Sequence, residues 1–170
     1  MTSHRARLLH KEDAAASTMN FLFEKPESMT YTAGQYLHWT LVDPPEPDDE
    51  GIMRAFTLAS APFENTIMAS TRIRDTAYKR DLAVMEVGDE VELDEPQGDL
   101  TLHEDLDRTA VFVIGGIGIT PVRSGMIEAM GQMLHDAGVD SDVDPRCSPD
   151  TDCLFTRISL RWGGRPRSCP

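Results

Sequence analysis

From residue 4 to about residue 104, apolar and polar positions alternate in short runs broken by glycine, proline and acidic clusters. This is the pattern of half-buried strands joined by turns. "RARLLHKE" and "STMNFLFEKP" are spaced to form a hairpin. "TAGQYLHWTLV" is a glycine turn followed by strict alternation, with Tyr36, His38 and Thr40 on one face and Leu37, Trp39 and Leu41 on the other. "DPPEPDDEG" is a polar, proline-rich loop. "MRAFTLAS" and "NTIMASTRIR" read as strands and "TAYKRDLAVM" as a short helix. "VGDEVELDEPQGDLTL" reads as a turn, a strand and a glycine turn. Several short strands interrupted by one helix predict a β-barrel.

At residue 110 the period changes. "AVFVI" is a continuous apolar run, the composition of a parallel strand buried on both faces. "GGIGITP" follows directly, then "VRSGMIEAMGQMLHDAG", an amphipathic helix with Gly138 as its stop. Val122, Met126, Met130 and Met133 fall on one stripe of that helix, which we read as core. Strand, glycine loop and helix together are the opening of a nucleotide-binding α/β unit. The predicted organisation is a barrel over residues 1–106, a first β–loop–α unit over 107–138, and an atypical tail over 139–170 that is truncated, frame-shifted or disordered.

Charge sharpens this picture. The chain carries 29 acidic and 16 basic residues, a formal charge of −13. Residues 139–170 hold 5 acidic and 5 basic residues, so residues 1–138 hold 24 and 11 and carry the whole imbalance. Such a charge repels phosphate backbones and argues against nucleic-acid binding. Lysine is rare (Lys11, Lys25 and Lys79), and an acid-rich, lysine-poor surface fits a protein of high-salt surroundings, although an ordinary acidic protein has the same balance. The apolar run "AVFVIGGIGI" is half of the ~20 residues a membrane span needs, and "MTSHRARLLHKEDAAAS" has no apolar centre for a signal peptide. A soluble, cytoplasmic protein is expected. Cys147, Cys153 and Cys169 match no zinc or iron–sulfur spacing, and the five histidines are scattered, so no metal site is expected.

Three stretches carry chemistry. In "GGIGITP", glycines between strand and helix let backbone N–H groups approach a phosphate, with the helix terminus adding its dipole. The run has G-x-G at Gly116 and Gly118 without the third glycine, and a plain strand-to-helix turn has the same composition. In "RAFTLASAP", Arg54 offers a planar fork suited to a diphosphate, beside Phe56 and the Thr57 hydroxyl; an edge strand with an exposed arginine is the bland alternative. In "RDTAYKRDL", Thr76 is placed to cap a helix whose free N–H groups face an anion, and Lys79 and Arg80 add charge; a solvated basic helix start is the alternative.

The order RxFTLxSxP, TAYKRxL, GDxVELxxPxG and then GGIGITP, over roughly residues 4–137, resembles the ferredoxin–NADP reductase superfamily, and more closely its FAD-dependent NAD(P)H oxidoreductases. "YTAGQY" (Tyr31–Tyr36) resembles the family's F-x-P-G-Q-Y stretch, with Ala33 replacing the proline. The resemblance implies an antiparallel, Greek-key FAD-binding barrel followed by the start of an α/β parallel-sheet nicotinamide-binding domain. It implies that Arg54 binds the FAD diphosphate, that Phe56 lies against the flavin, and that Thr57 is the catalytic hydroxyl near flavin N5. Ser60 and Pro62 match the end of that motif. Thr76, Ala77, Tyr78 and Lys79 match the second FAD phosphate loop. Gly116, Gly118, Thr120 and Pro121 match the loop that meets NADH or NADPH. Ferredoxin or another acceptor is the implied electron partner. In the family the nicotinamide domain runs on for roughly another hundred residues, so a flavin-binding module with little reductase activity is the competing expectation.

Overall fold

The computed structural model describes residues 3–46, 49–103 and 112–136. Six strands and two helices follow in order: β1 (His4–Ala15), β2 (Thr18–Glu24), β3 (Tyr36–Leu41), β4 (Met53–Thr57), β5 (Thr66–Arg72), α1 (Ala77–Val84), β6 (Glu90–Leu93) and α2 (Ile119–Asp136), the last preceded by a 3-10 turn at Gly116–Gly118. The sheet order is β4-β3-β6-β1-β2-β5, and every pairing between strands is antiparallel. The ends of this sheet meet. Leu58, one residue past β4, bridges to Ala69 in β5, and Ala59 N–H donates to Met68 O at 2.8 Å. The barrel predicted from the alternation is therefore present.

Local sequence explains each step. The β1–β2 hairpin turns at Ser17, which adopts φ 54°, and the β1 strand bulges near Leu9, leaving that side chain exposed. In β3 the alternation holds residue by residue, with Leu37, Trp39 and Leu41 buried and the positions between them half-buried. Those three join Leu8, Phe21, Phe23, Leu58, Ile67, Val91 and Leu93 in one core. Phe23 and Trp39 sit at its centre with ring centroids 5.1 Å apart. Helix α1 plugs one end of the barrel by burying Tyr78 and Leu82, and the Tyr78 hydroxyl donates to Trp39 O at 2.9 Å. Gly34, in the "TAGQY" turn, has φ +99°, and a Cβ there would stand 1.9 Å from Leu100 O. Only glycine lets the segment after β6 pass this turn.

Two expectations fail in the second unit. Phe112 to Ile114 form no strand, and Val113 is 95% exposed. A run composed for burial on both faces becomes a strand only with neighbours to pair, and the described residues supply none. The rest of that predicted strand, Gly138, and the whole tail with its three cysteines lie outside the described residues. The methionine stripe of α2 is also misassigned. Val122 is buried, but Met126 and Met133 are exposed, Met133 at 68%. The face docked on the barrel carries Ile119, Val122, Ser124 and Ile127 instead.

Candidate functional site

The pairing of β3 with β4 sets the site. It places Trp39 opposite Arg54, Leu37 opposite Phe56, and Tyr36 opposite Thr57. Opposed residues share a face of the sheet, so Arg54 and Phe56 lie on the core side with Trp39, while Thr57 lies with Tyr36. Phe56 is half-buried against the core, its ring 6.3 Å from Trp39 and 5.9 Å from Tyr78. The Arg54 guanidinium lies 5.2 Å from the Tyr78 centroid, and Lys79 Nζ stands 4.0 Å from the Phe56 centroid. Two cations thus lie against two aromatics whose rings are tilted by 46° to each other, Arg54 over Tyr78 and Lys79 over Phe56.

The two cations are held differently. Arg54 donates to Glu50 Oε2 at 2.8 Å and to the Glu50, Gly51 and Met53 carbonyls at 3.0, 3.0 and 2.8 Å. Lys79 donates to the Thr71 hydroxyl. Among the described residues it has no carboxylate within ion-pair distance. Burial, and then the positive charges of Arg54 and Arg74, lower its pKa to about 8. In a chain of charge −13, an ammonium pressed against an aromatic ring beside two arginines is a local concentration of positive charge.

Thr76 stands at the N-cap of α1 with extended φ −126° and ψ 149°. Its side chain makes no capping bond, contrary to expectation; instead its carbonyl accepts from the Lys79 and Arg80 amides at 3.1 and 3.0 Å. That carbonyl satisfies the Lys79 and Arg80 amides, so only the first two N–H groups of α1, those of Ala77 and Tyr78, lie ahead of the helix's own bonds. Ala77 and Tyr78 are buried, and Tyr78 forms an aromatic wall. Arg80 turns outward to Glu46 and Asp75.

Ser60 is 1% exposed. Its hydroxyl is shared with Tyr31 Oη at 3.0 Å and accepts from Met68 N at 3.1 Å, so it anchors the end of the β4 segment. The glycine loop is exposed from Gly115 to Gly118, with Gly116 at φ +53°. The Thr120 hydroxyl donates back to Ile117 O at 3.2 Å, and Pro121 lies in the first turn of α2. Strand β5 links the two halves of the site. Thr71 accepts from Lys79, and the next residue, Arg72, reaches the side of Gly116 that a Cβ would occupy, 3.8 Å away. Thr71, Arg72 and Glu50 belong to no motif in the sequence; their contacts with Lys79, the Gly116 turn and Arg54 come from the fold and from the loop before β4. A separate cleft of about 470 Å³ between Leu41–Pro45, Asp81 and Gly88–Glu90 contains none of the predicted site residues. Among the described residues no cluster of histidine, cysteine or carboxylate forms a metal site, and no helix is long and apolar enough to cross a membrane.

No family profile matches the chain. It is 28% identical over 150 residues to a flavohemoprotein of Chromobacterium violaceum, covering 78% of this chain and 34% of that protein. It is 25% identical over 162 residues to an NAD(P)H-flavin reductase of Aliivibrio fischeri, covering 91% of this chain and 57% of the relative. The chain thus spans between a third and three-fifths of the length of these curated relatives. Among solved structures, the flavohem-like FAD/NAD-binding domain of nitric oxide dioxygenase from Vibrio cholerae superposes with a TM-score of 0.65 at 22% identity, covering 76% of this chain and 57% of that one. A ferredoxin NADP+ reductase from Neisseria gonorrhoeae with bound FAD and NADP superposes at 0.59 and 22% identity, covering 77% and 53%. These likenesses match the barrel described above.

Proposed function

From the premise that this chain has the fold of the ferredoxin–NADP reductase superfamily, we propose that it is the flavin-binding part of an FAD-dependent NAD(P)H oxidoreductase. Residues 1–106 form the FAD unit and residues 107–138 open the nicotinamide unit. The observation that carries this reading is the cluster of Arg54, Tyr78, Phe56 and Lys79 at the start of α1. Its chemistry fits FAD, which joins a planar aromatic system to a diphosphate: aromatic faces beside cations, one of them (Lys79) without a carboxylate partner among the described residues, suit such a molecule. Arg54, Lys79 and the α1 terminus at Thr76 would hold the diphosphate. Phe56 would lie against the ring system, with the Thr57 hydroxyl at its reactive edge. The exposed Gly116–Gly118 turn, followed by Thr120 and Pro121, would receive NADH or NADPH.

When bound, FAD supplies the two-electron carrier chemistry. The protein's own residues bind, orient and exclude water, and hydride transfer needs no acid–base pair from them. Ferredoxin or another carrier protein is the proposed acceptor. A second reading, a flavin-binding module with little reductase activity, is favoured by the exposed segment Phe112–Ile114, which pairs with no strand among the described residues. The test is a visible spectrum of the purified protein in high salt, before and after anaerobic NADH or NADPH. Flavin bands that bleach establish the reductase. Bands that persist with both donors establish the module. Absence of flavin after reconstitution with FAD overturns the site.

A further inference from the structure

The far end of the β4 segment is held by donors from elsewhere. Arg123 Nη1 donates to Ala59 O, and Ser124 Oγ donates to Ser60 O at 2.6 Å. Tyr31 Oη approaches Ser60 O at 3.2 Å and Ala61 O at 2.9 Å, and Lys25 Nζ donates to Pro62 O. Every carbonyl from 59 to 62 is thus bound by a side chain, and the first two are bound by α2. Arg123 also lies 3.8 Å from Glu64, whose carboxylate accepts the Ala61 amide. Ser124 is 0% exposed, a hydroxyl on a helix face where the apolar pattern calls for an aliphatic residue.

We propose that Arg123 and Ser124 are positioning residues: they lock the backbone at Ala59 and Ser60 to α2, and so fix the offset between the Gly116–Pro121 loop and the Phe56–Thr57 edge. The proposal rests on the function given above. The arms on either side of the clamp are short. Ser124 is five residues past Ile119, about 7.5 Å along a helix. Ser60 is three residues past Thr57, at most about 10 Å of chain, and Leu58 between them is bridged to β5. Both arms are short, so slack at the clamp passes to both sites. Main-chain acceptors also favour positioning over mere adhesion, because they hold the path of the chain whatever side chains it carries. The barrel closes without α2, through Ala59 N–H to Met68 O at 2.8 Å and Met68 N–H to Ser60 Oγ at 3.1 Å. Loosening the clamp therefore leaves the barrel folded.

The test compares Ser124→Ala, Arg123→Met and Arg123→Lys with the wild type, all loaded with FAD. Amide exchange is expected to quicken in α2 and at residues 59–61, while β5 stays protected. FAD affinity should stay within about threefold, because the clamp does not touch the cation–aromatic cluster. A misplacement near 1 Å costs on the order of 100-fold in rate. Anaerobic flavin bleaching at saturating NADH or NADPH should fall at least ~10-fold, with little change in apparent nicotinamide affinity, and Arg123→Lys should recover part of it. Unchanged exchange in α2, or a loss confined to nicotinamide affinity, overturns the proposal. A wild type that binds FAD yet bleaches with neither donor instead overturns the reductase reading, while the exchange data still report on the clamp.

Discussion

Replacing Lys79 by methionine is expected to move two properties in opposite directions. Burial and the neighbouring arginines lower the Lys79 pKa from 10.5 to about 8. At ~1.4 kcal/mol per unit, the folded protein would lose up to about 3.4 kcal/mol at pH 7 by keeping this ammonium charged. The side chain is partly exposed, so solvent screening cuts this to about 1.5–2 kcal/mol. Methionine forfeits a cation–π contact of about 0.5–1 kcal/mol but packs on Phe56. The flavin-free variant should therefore be more stable by about 0.5–1 kcal/mol, about 1–4 °C in melting temperature. The sign with pH follows from linkage. Between pH 8 and 10.5 the unfolded chain binds more protons at this site than the folded one, so wild-type stability gains on the variant as pH rises through that window. FAD should respond the other way. Losing one charge-assisted hydrogen bond to a phosphate costs about 1.5–3 kcal/mol, or roughly 10- to 150-fold in affinity. Thermal melts of flavin-free protein at pH 7 and 10, with titration of FAD fluorescence quenching, read both quantities. A variant that melts lower than wild type, or binds FAD within threefold of it, refutes the reasoning.

Two further substitutions probe the scaffold. Gly34→Ala forces a Cβ into the Leu100 carbonyl at a positive φ, and should cost more than about 2 kcal/mol by denaturant titration. Glu128 has a buried Oε2 with no hydrogen-bond partner among the described residues and a carboxyl pKa raised by burial. A raised carboxyl favours the folded state below its ordinary range and loses that advantage as pH rises through the folded value. Glu128→Gln should therefore match or exceed wild-type stability at pH 7, and the two should converge at pH 3–4 in parallel melts.

The barrel was legible because alternation is a local signal. Leu37, Trp39 and Leu41 announced their own burial, and the glycine of "TAGQY" announced its turn. The cations and aromatics of the site were legible as residue types in motif order. Their partners were not: the Thr71–Lys79 and Ser124–Ser60 contacts join residues 8 and 64 positions apart. In α2, periodicity gave the helix but could not choose between two apolar stripes. Docking against the barrel chose the one containing Ser124 and left Met126 and Met133 outside. The "AVFVI" run failed for a related reason, since composition specifies burial while pairing requires a neighbour.

The barrel's closure by one bridge, Leu58 to Ala69, has a mechanical consequence. Elsewhere the strands are laced by ladders of three to seven paired positions, but here the cylinder is zipped by one bridged pair and the Met68 N–H to Ser60 Oγ bond beside it. Loss of pairing should start along that seam, between the strand that carries Arg54 and the strand that carries Thr71. Lys79 reaches Thr71 while lying over Phe56, so helix α1 spans the seam on one side, and the Arg123–Ser124 clamp lies beside the bridged pair on the other. A molecule held by Arg54 and Lys79 together would act as a third fastener. Occupancy would then be felt first as slower breathing of this one line, before any change in the rest of the barrel.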